Sequence, residues 1–269
     1  MYKKLWLLIF GFSSCFITGC AINPISGEKQ LMLFPEEQDI AIGRSYAPEV
    51  EKEMGGRIAN ESLQNYVNSI GQKIASVSHK PELEYHFVAV NEDSVNAFAL
   101  PGGYLFITKG MLEKLESESQ LASIWAHETV HVVARHSSAA MSNQIGIDIL
   151  LSTVISEQTP RSVSTVANLT RQIVSLRYSR SDEREADLAG LDYMVRAGYN
   201  PYGMVETMQM LERQGKTGSI EFLSTHPIPE SRIAYLTESI QTRYYDLGRL
   251  KIGKEDYERA VLQNLAQTK

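Results

Sequence analysis

"IWAHETVHVVARH", residues 124 to 136, decides how this chain is read. It holds three of the six histidines, His127, His131 and His136, with Glu128 directly after the first. On a helix, His127 and His131 stand at i and i+4 and present two imidazoles to one point. Zinc accepts neutral imidazole nitrogens and prefers four donors in a tetrahedron. Glu128 lies about 100° round the helix from His127, near enough to reach a metal-held water but poorly placed as a ligand. This is the logic of H-E-x-x-H. The flanks "LASIWA" and "VVA" are apolar, so the helix is expected to be buried. A buried helix does not carry two histidines and a glutamate without partners.

The pair needs a further ligand. On a continuous helix His136 does not supply it, because nine residues from His127 is about 900°, the opposite face. Metalloproteases that use a third histidine here break the helix with a glycine. This chain has Ala134 at that place and Ser137 where that histidine would stand. His136 is therefore expected at a helix end or on the surface. The better source is "SRSDEREADLAG", residues 179 to 190, where Glu183 and Asp187 again stand at i and i+4. In one arrangement Glu183 ligates the metal and Asp187 orients a ligating histidine through its other nitrogen. Glu185 is expected to face solvent.

At 269 residues, with a net charge of −6 and a pI near 5.6, the chain lacks the basic balance of a nucleic-acid binder. Its start reads as targeting. Lys3 and Lys4 precede "LWLLIFGF", an apolar run too short to span a bilayer. "ITGC", Ile17 to Cys20, then resembles the lipobox of bacterial lipoproteins, which makes Cys20 the lipidated first residue of the mature protein. Cys15 would leave with the leader, so no thiol and no disulfide would remain. Ala21 is not the aspartate that resembles an inner-membrane retention signal, which favours the outer membrane.

The expected organisation is a signal peptide over 1–19, a tether over 20–34 and a single metallopeptidase domain over 35–269. Helices are expected at 35–54, from Asn60 as N-cap, along 117–140, and over "SDEREADLAGLDYMVRAG", with further ones near 201–213, 229–245 and from Lys254. Residues 145–176 read as apolar and helical with a break near "SEQTPRS". "LEYHFVAV" and the two halves of "NAFALPGGYLFITKGML" read as strands. The fold class is α+β, mostly helical, with a small sheet.

These residues resemble a known family. "HETVH", then "YSRSDEREADLAG", with "NAFALPGGYLFITKG" before and "STHPIPESRI" after, is similar to the HtpX/Oma-type zinc metallopeptidases, nearest their periplasmic BepA- and LoiP-like branch. The resemblance covers about 35 to 245. It implies a zincin-like domain with an antiparallel sheet beside the H-E-x-x-H helix and one zinc per chain. The family's ligands fall on His127, His131 and Glu183, its catalytic glutamate on Glu128 and its supporting aspartate on Asp187. The histidine of "HP" falls on His226 and the following arginine on Arg232, as a fourth ligand or an oxyanion donor. In the BepA-like branch the matching histidine acts as a latch on the metal. Thr129-Val130 departs from the family's aliphatic-then-small pair. The sequence to Lys269 holds no counterpart of the helical repeat domain of BepA-like proteins.

The implied function is zinc-dependent cleavage of unfolded or misassembled envelope proteins by a lipid-anchored enzyme on the periplasmic face. Its partners would be unfolded chains, the membrane through the Cys20 lipid, and the outer-membrane assembly machinery. Substrate would add as a strand to the sheet edge, bound through its backbone. The competing reading is a non-proteolytic lipoprotein chaperone or assembly factor with a vestigial zinc site. Glu128 argues against it, since a purely structural site has no use for a general base.

Overall fold

A computed structural model of the chain describes residues 19–144, 176–216, 220–226 and 231–267. Residues 1–18, read as most of a signal peptide, and the stretch 145–175 lie outside the described residues, as do Pro227 and Pro229. The architecture is mostly helical, as the sequence implies, with a small three-stranded sheet and a two-stranded N-terminal hairpin.

Helix α1 (Glu36–Glu53) begins with acids in its first turn, which suit the positive end of the helix dipole, and gives way to Gly55 and Gly56. Helix α2 (Glu61–Ala75) is capped by Asn60, whose side chain accepts from the Leu63 amide at 3.0 Å. Leu63, Val67, Ile70 and Ile74 form its buried stripe.

The sheet has three strands in the order β3-β5-β4 (β3 His86–Val90, β4 Ala97–Leu100, β5 Tyr104–Thr108). β4 and β5 form the expected antiparallel pair, turning through Gly102 and Gly103 with φ of 80° and 96°, where a side chain would be strained. β3 pairs with β5 in parallel, which the sequence reading does not include. Residues 91–96 carry the chain from β3 past the β5 position, so β5 returns between them with β3's direction.

Helix α4 (Glu118–Val133), which follows the short α3 (Lys109–Leu112), is buried over its whole length, in line with its apolar flanks. Trp125 anchors it, donating to the Val67 carbonyl at 3.2 Å and meeting Phe87 of the sheet edge-on. The expected single helix over 117–140 is broken: α4 stops at Val133, Arg135 takes φ 58°, and α5 starts afresh over 136–144. A left-handed residue other than glycine costs about 1–2 kcal/mol. Arg135 offsets it by donating to Asp39 at 2.6 Å and to the Phe34 carbonyl at 2.7 Å.

Helices α6 (Arg180–Arg196) and α7 (Tyr202–Gly215) pack against α4, α8 (Glu221–Thr225) follows, α9 (Ser231–Arg243) packs on α7 and α6, and a tail helix from Lys254 closes on α2. The segment read as a tether forms a hairpin, β1 (Cys20–Ile22) against β2 (Lys29–Leu31). It is fixed to the body: Gln30 donates to the Ala134 carbonyl at 2.8 Å, and the Leu33 amide to Ser142 Oγ at 3.0 Å.

Candidate metal centre

α4 and α6 pack side by side and aim their two i, i+4 pairs at one another. α6 starts in register because Ser179 and Asp182 form a reciprocal capping box. His127 and His131 from α4, Glu183 from α6 and His226, just past α8, form a buried group whose ligand atoms all lie within 4.8 Å of one another. His127 Nε2 stands 3.1 Å from His131 Nε2, 3.3 Å from His226 Nδ1 and 3.6 Å from Glu183 Oε2. Glu183 Oε1 is 2.8 Å from His226 Nδ1 and 3.5 Å from His131 Nε2. Four donors on a tetrahedron with bonds near 2.0 Å would be about 3.3 Å apart. The donor set could therefore hold one metal ion.

The protons support that fit. His127 Nδ1 meets Asp187 Oδ1 at 3.1 Å. A carboxylate only accepts, so the ring's proton is on Nδ1 and Nε2 presents a lone pair to the cluster. Asp187 is held in turn by Arg232, whose Nε and Nη2 donate to its two oxygens at 2.6 and 2.7 Å, and by Tyr235 Oη. Arg232 also reaches Glu183 Oε2 at 2.8 Å. Its guanidinium is thus engaged by two carboxylates.

Glu128 is fully buried and neither carboxylate oxygen has a hydrogen-bond partner. The ring nitrogen Nε2 of His226 lies 3.5 Å from Glu128 Oε1. Burial lifts the Glu128 carboxyl to about 7. Burial lowers the His127 and His131 imidazoles and so favours the neutral, metal-binding form. Burial works to raise Glu183, but His226, His127 and His131 outweigh it and hold the carboxyl well below the usual range.

Two expectations are corrected. His136 does stand at a helix end, as the first residue of α5, but it is not on the surface: it is 3 % exposed, with Nδ1 2.8 Å from His131 Nδ1. The break at Arg135 turns the chain back, so the half-turn offset from His127 no longer applies. Glu185 is not simply solvent-facing: Oε2 accepts from Asn23 at 2.7 Å and lies 2.8 Å from His136 Nε2. Burial would raise its carboxyl, but these bonds lower it. Sequence reasoning also missed Tyr178, stacked on His131 with centroids 3.9 Å apart, and Tyr235. Tyr178 does open the quoted "YSRSDEREADLAG", one residue before the α6 cap.

Comparison with known proteins agrees with this geometry. A family model described as peptidase family M48 matches residues 61–240, which span the sheet and all four clustered residues. The beta-barrel assembly-enhancing protease of Escherichia coli (strain K12) is 32% identical over 185 residues, covering 64% of this chain and 38% of that protein. The protein of that name from Yersinia pestis is 30% identical over 211 residues, covering 74% and 43%. The mitochondrial metalloendopeptidase OMA1 of Arabidopsis thaliana is 32% identical over 165 residues, covering 61% and 33%. The chain thus spans less than half the length of these relatives.

Proposed function

The chain belongs to peptidase family M48, and from that premise we propose that it is a zinc-dependent endopeptidase acting on unfolded or misassembled polypeptides of the cell envelope. One observation carries the reading: a buried carboxyl without hydrogen-bond partners, Glu128, beside four converging donors. Three nitrogens and a carboxylate oxygen are donors zinc accepts. His127, His131 and Glu183 would hold the ion, and His226 would complete the set at rest by giving up the Nδ1 proton that it shares with Glu183 Oε1. Bound zinc supplies a Lewis acid that acidifies water and polarises a peptide carbonyl.

The rest falls to the chain's own residues. Glu128 takes a proton from the attacking water and returns it to the leaving amine. A carboxyl lifted to about 7 by burial suits both tasks near neutrality. Asp187 holds His127 in the metal-binding tautomer, and Arg232 fixes Asp187 and Glu183 rather than serving as an oxyanion donor. His226 must leave its place before water and substrate can enter.

Substrate adds to β4. That strand ends the sheet beside α4, and among the described residues nothing pairs with its outer edge. Such binding reads backbone rather than sequence, which suits unfolded chains. Cys20 is the site of lipidation and anchors the protein at the outer membrane. It is exposed at the start of β1, and no helix among the described residues is long and apolar enough to cross a membrane. The names of the bacterial relatives make unassembled outer-membrane barrels and their assembly machinery the first candidates for substrate and partner. A non-proteolytic chaperone has no use for a buried carboxyl held without partners. Incubation of the purified protein with casein tests the proposal: cleavage should stop with a chelator and return with zinc. Intact casein in the presence of zinc would refute it.

A further inference from the structure

His136, Glu185 and Asn23 form a connected line that the proposed chemistry leaves unused. Glu185 Oε2 lies 2.8 Å from His136 Nε2 and accepts from Asn23 Nδ2 at 2.7 Å. His136 Nδ1 lies 2.8 Å from His131 Nδ1. Asn23 Oδ1 accepts the Ile25 amide at 2.9 Å, which fixes which end of its amide faces Glu185.

The proton positions follow from what each group can donate. Glu185 as a carboxylate only accepts, so His136 Nε2 carries a proton. For His131 to keep a lone pair on Nε2 for the metal, the proton between the two rings must belong to His131 Nδ1, which requires His136 Nδ1 to accept it. His131 Nε2 is left with a lone pair directed at the cluster, 3.1 Å from His127 Nε2. The two ligand imidazoles are therefore held from behind in the same sense. His127 is held by a carboxylate directly; His131 is held by one through a second imidazole.

We propose that Asn23, Glu185 and His136 are positioning residues that orient His131 for the metal, so that the N-terminal hairpin is part of the metal site's construction. The proposal rests on the metal reading above. The local backbone supports it independently. Gln30 of the hairpin takes the Ala134 carbonyl where α4 ends, and Arg135 is held in its left-handed conformation by Asp39 and Phe34. The N-terminal segment thus secures the turn that brings His136 back to His131, as well as the acid behind it. If Cys20 carries the anchor, only two residues separate it from Asn23.

The test measures zinc affinity of the whole purified protein against a chromophoric chelator, and the visible spectrum of the cobalt-substituted protein. His136→Phe fills the space without an acceptor, and His136→Asn restores an acceptor near the Nδ1 position. His136→Phe should weaken zinc by about 10–100-fold and shift the cobalt bands. His136→Asn should recover most of the affinity, and Asn23→Ala, remote from the metal, should weaken it in the same direction. Wild-type affinity and spectrum in His136→Phe would overturn the proposal, as would His136→Asn binding no better than His136→Phe, or unchanged affinity in Asn23→Ala. Should His136→Phe fail to fold, Glu185→Gln carries the test: a loss of about tenfold is expected, and unchanged affinity overturns it. A wild-type protein without zinc would defeat the metal reading as well; zinc held equally by wild type and His136→Phe would defeat this proposal alone.

Discussion

His226 Nδ1 lies 2.8 Å from Glu183 Oε1, so the imidazole fills the place a fourth donor would take and keeps it from solvent. Its other nitrogen faces Glu128. Burial works to lower this imidazole, but Glu183 and Glu128 on either side outweigh it and raise it.

That contact predicts a latch. His226→Ala should keep its metal and cleave casein severalfold faster, because a larger fraction of the enzyme is competent. A fall of about 10²–10³ in kcat with metal retained would instead make His226 an oxyanion donor. Unchanged activity would remove both roles.

Glu128→Gln should keep metal and fold while casein cleavage drops by about 10²–10⁴-fold or more, as expected for loss of a general base. Near-normal turnover would place the base elsewhere. The same variant separates out a pH effect in the metal-free protein. The folded chain holds the Glu128 proton up to about pH 7, against an ordinary value of 4.5. This contribution to stability is therefore present below pH 4.5 and lost as pH rises to about 7. Glutamine cannot ionise, so the variant's stability relative to wild type should grow by roughly 3 kcal/mol across that window. Denaturant unfolding at the two ends measures it, and a pH-independent difference would contradict it.

Arg232→Met should leave Asp187 and Glu183 short of their shared buried cation. Losing one partner of a buried ion pair typically costs about 3–5 kcal/mol. A denaturation midpoint within error of wild type would show that Tyr235 and the histidines suffice.

The sequence was most informative where spacing alone determines geometry. His127 with His131, and Glu183 with Asp187, converge because i, i+4 on any helix shares a face. Strand pairing was less legible: β3 runs parallel to β5 because of a connection that skips a strand position, which no local pattern encodes. His136 stands at a helix end as read, but its burial against His131 was missed for a sharper reason. Extrapolation at a constant angle per residue fails at Arg135, whose left-handed backbone depends on Asp39 and Phe34, about a hundred residues earlier in the chain. Glu185 followed it into error, since its importance comes from His136 and from a hairpin that the Asn23-Pro24 and Ser26-Gly27 turn signals did not by themselves imply.

Cys20 should carry lipid. Metabolic labelling with a fatty-acid analogue should mark the wild-type protein and not Cys20→Ser. Equal labelling of the two would remove the anchor from the account.

The central claim is that side chains from α4 and α6 hold one metal ion between them. Native mass spectrometry of the purified protein, wild type beside a His131→Ala, Glu183→Ala double variant, tests it most directly. One zinc per wild-type chain and almost none in the variant is the predicted result. A wild-type chain without metal, or zinc retained in full by the double variant, would contradict it.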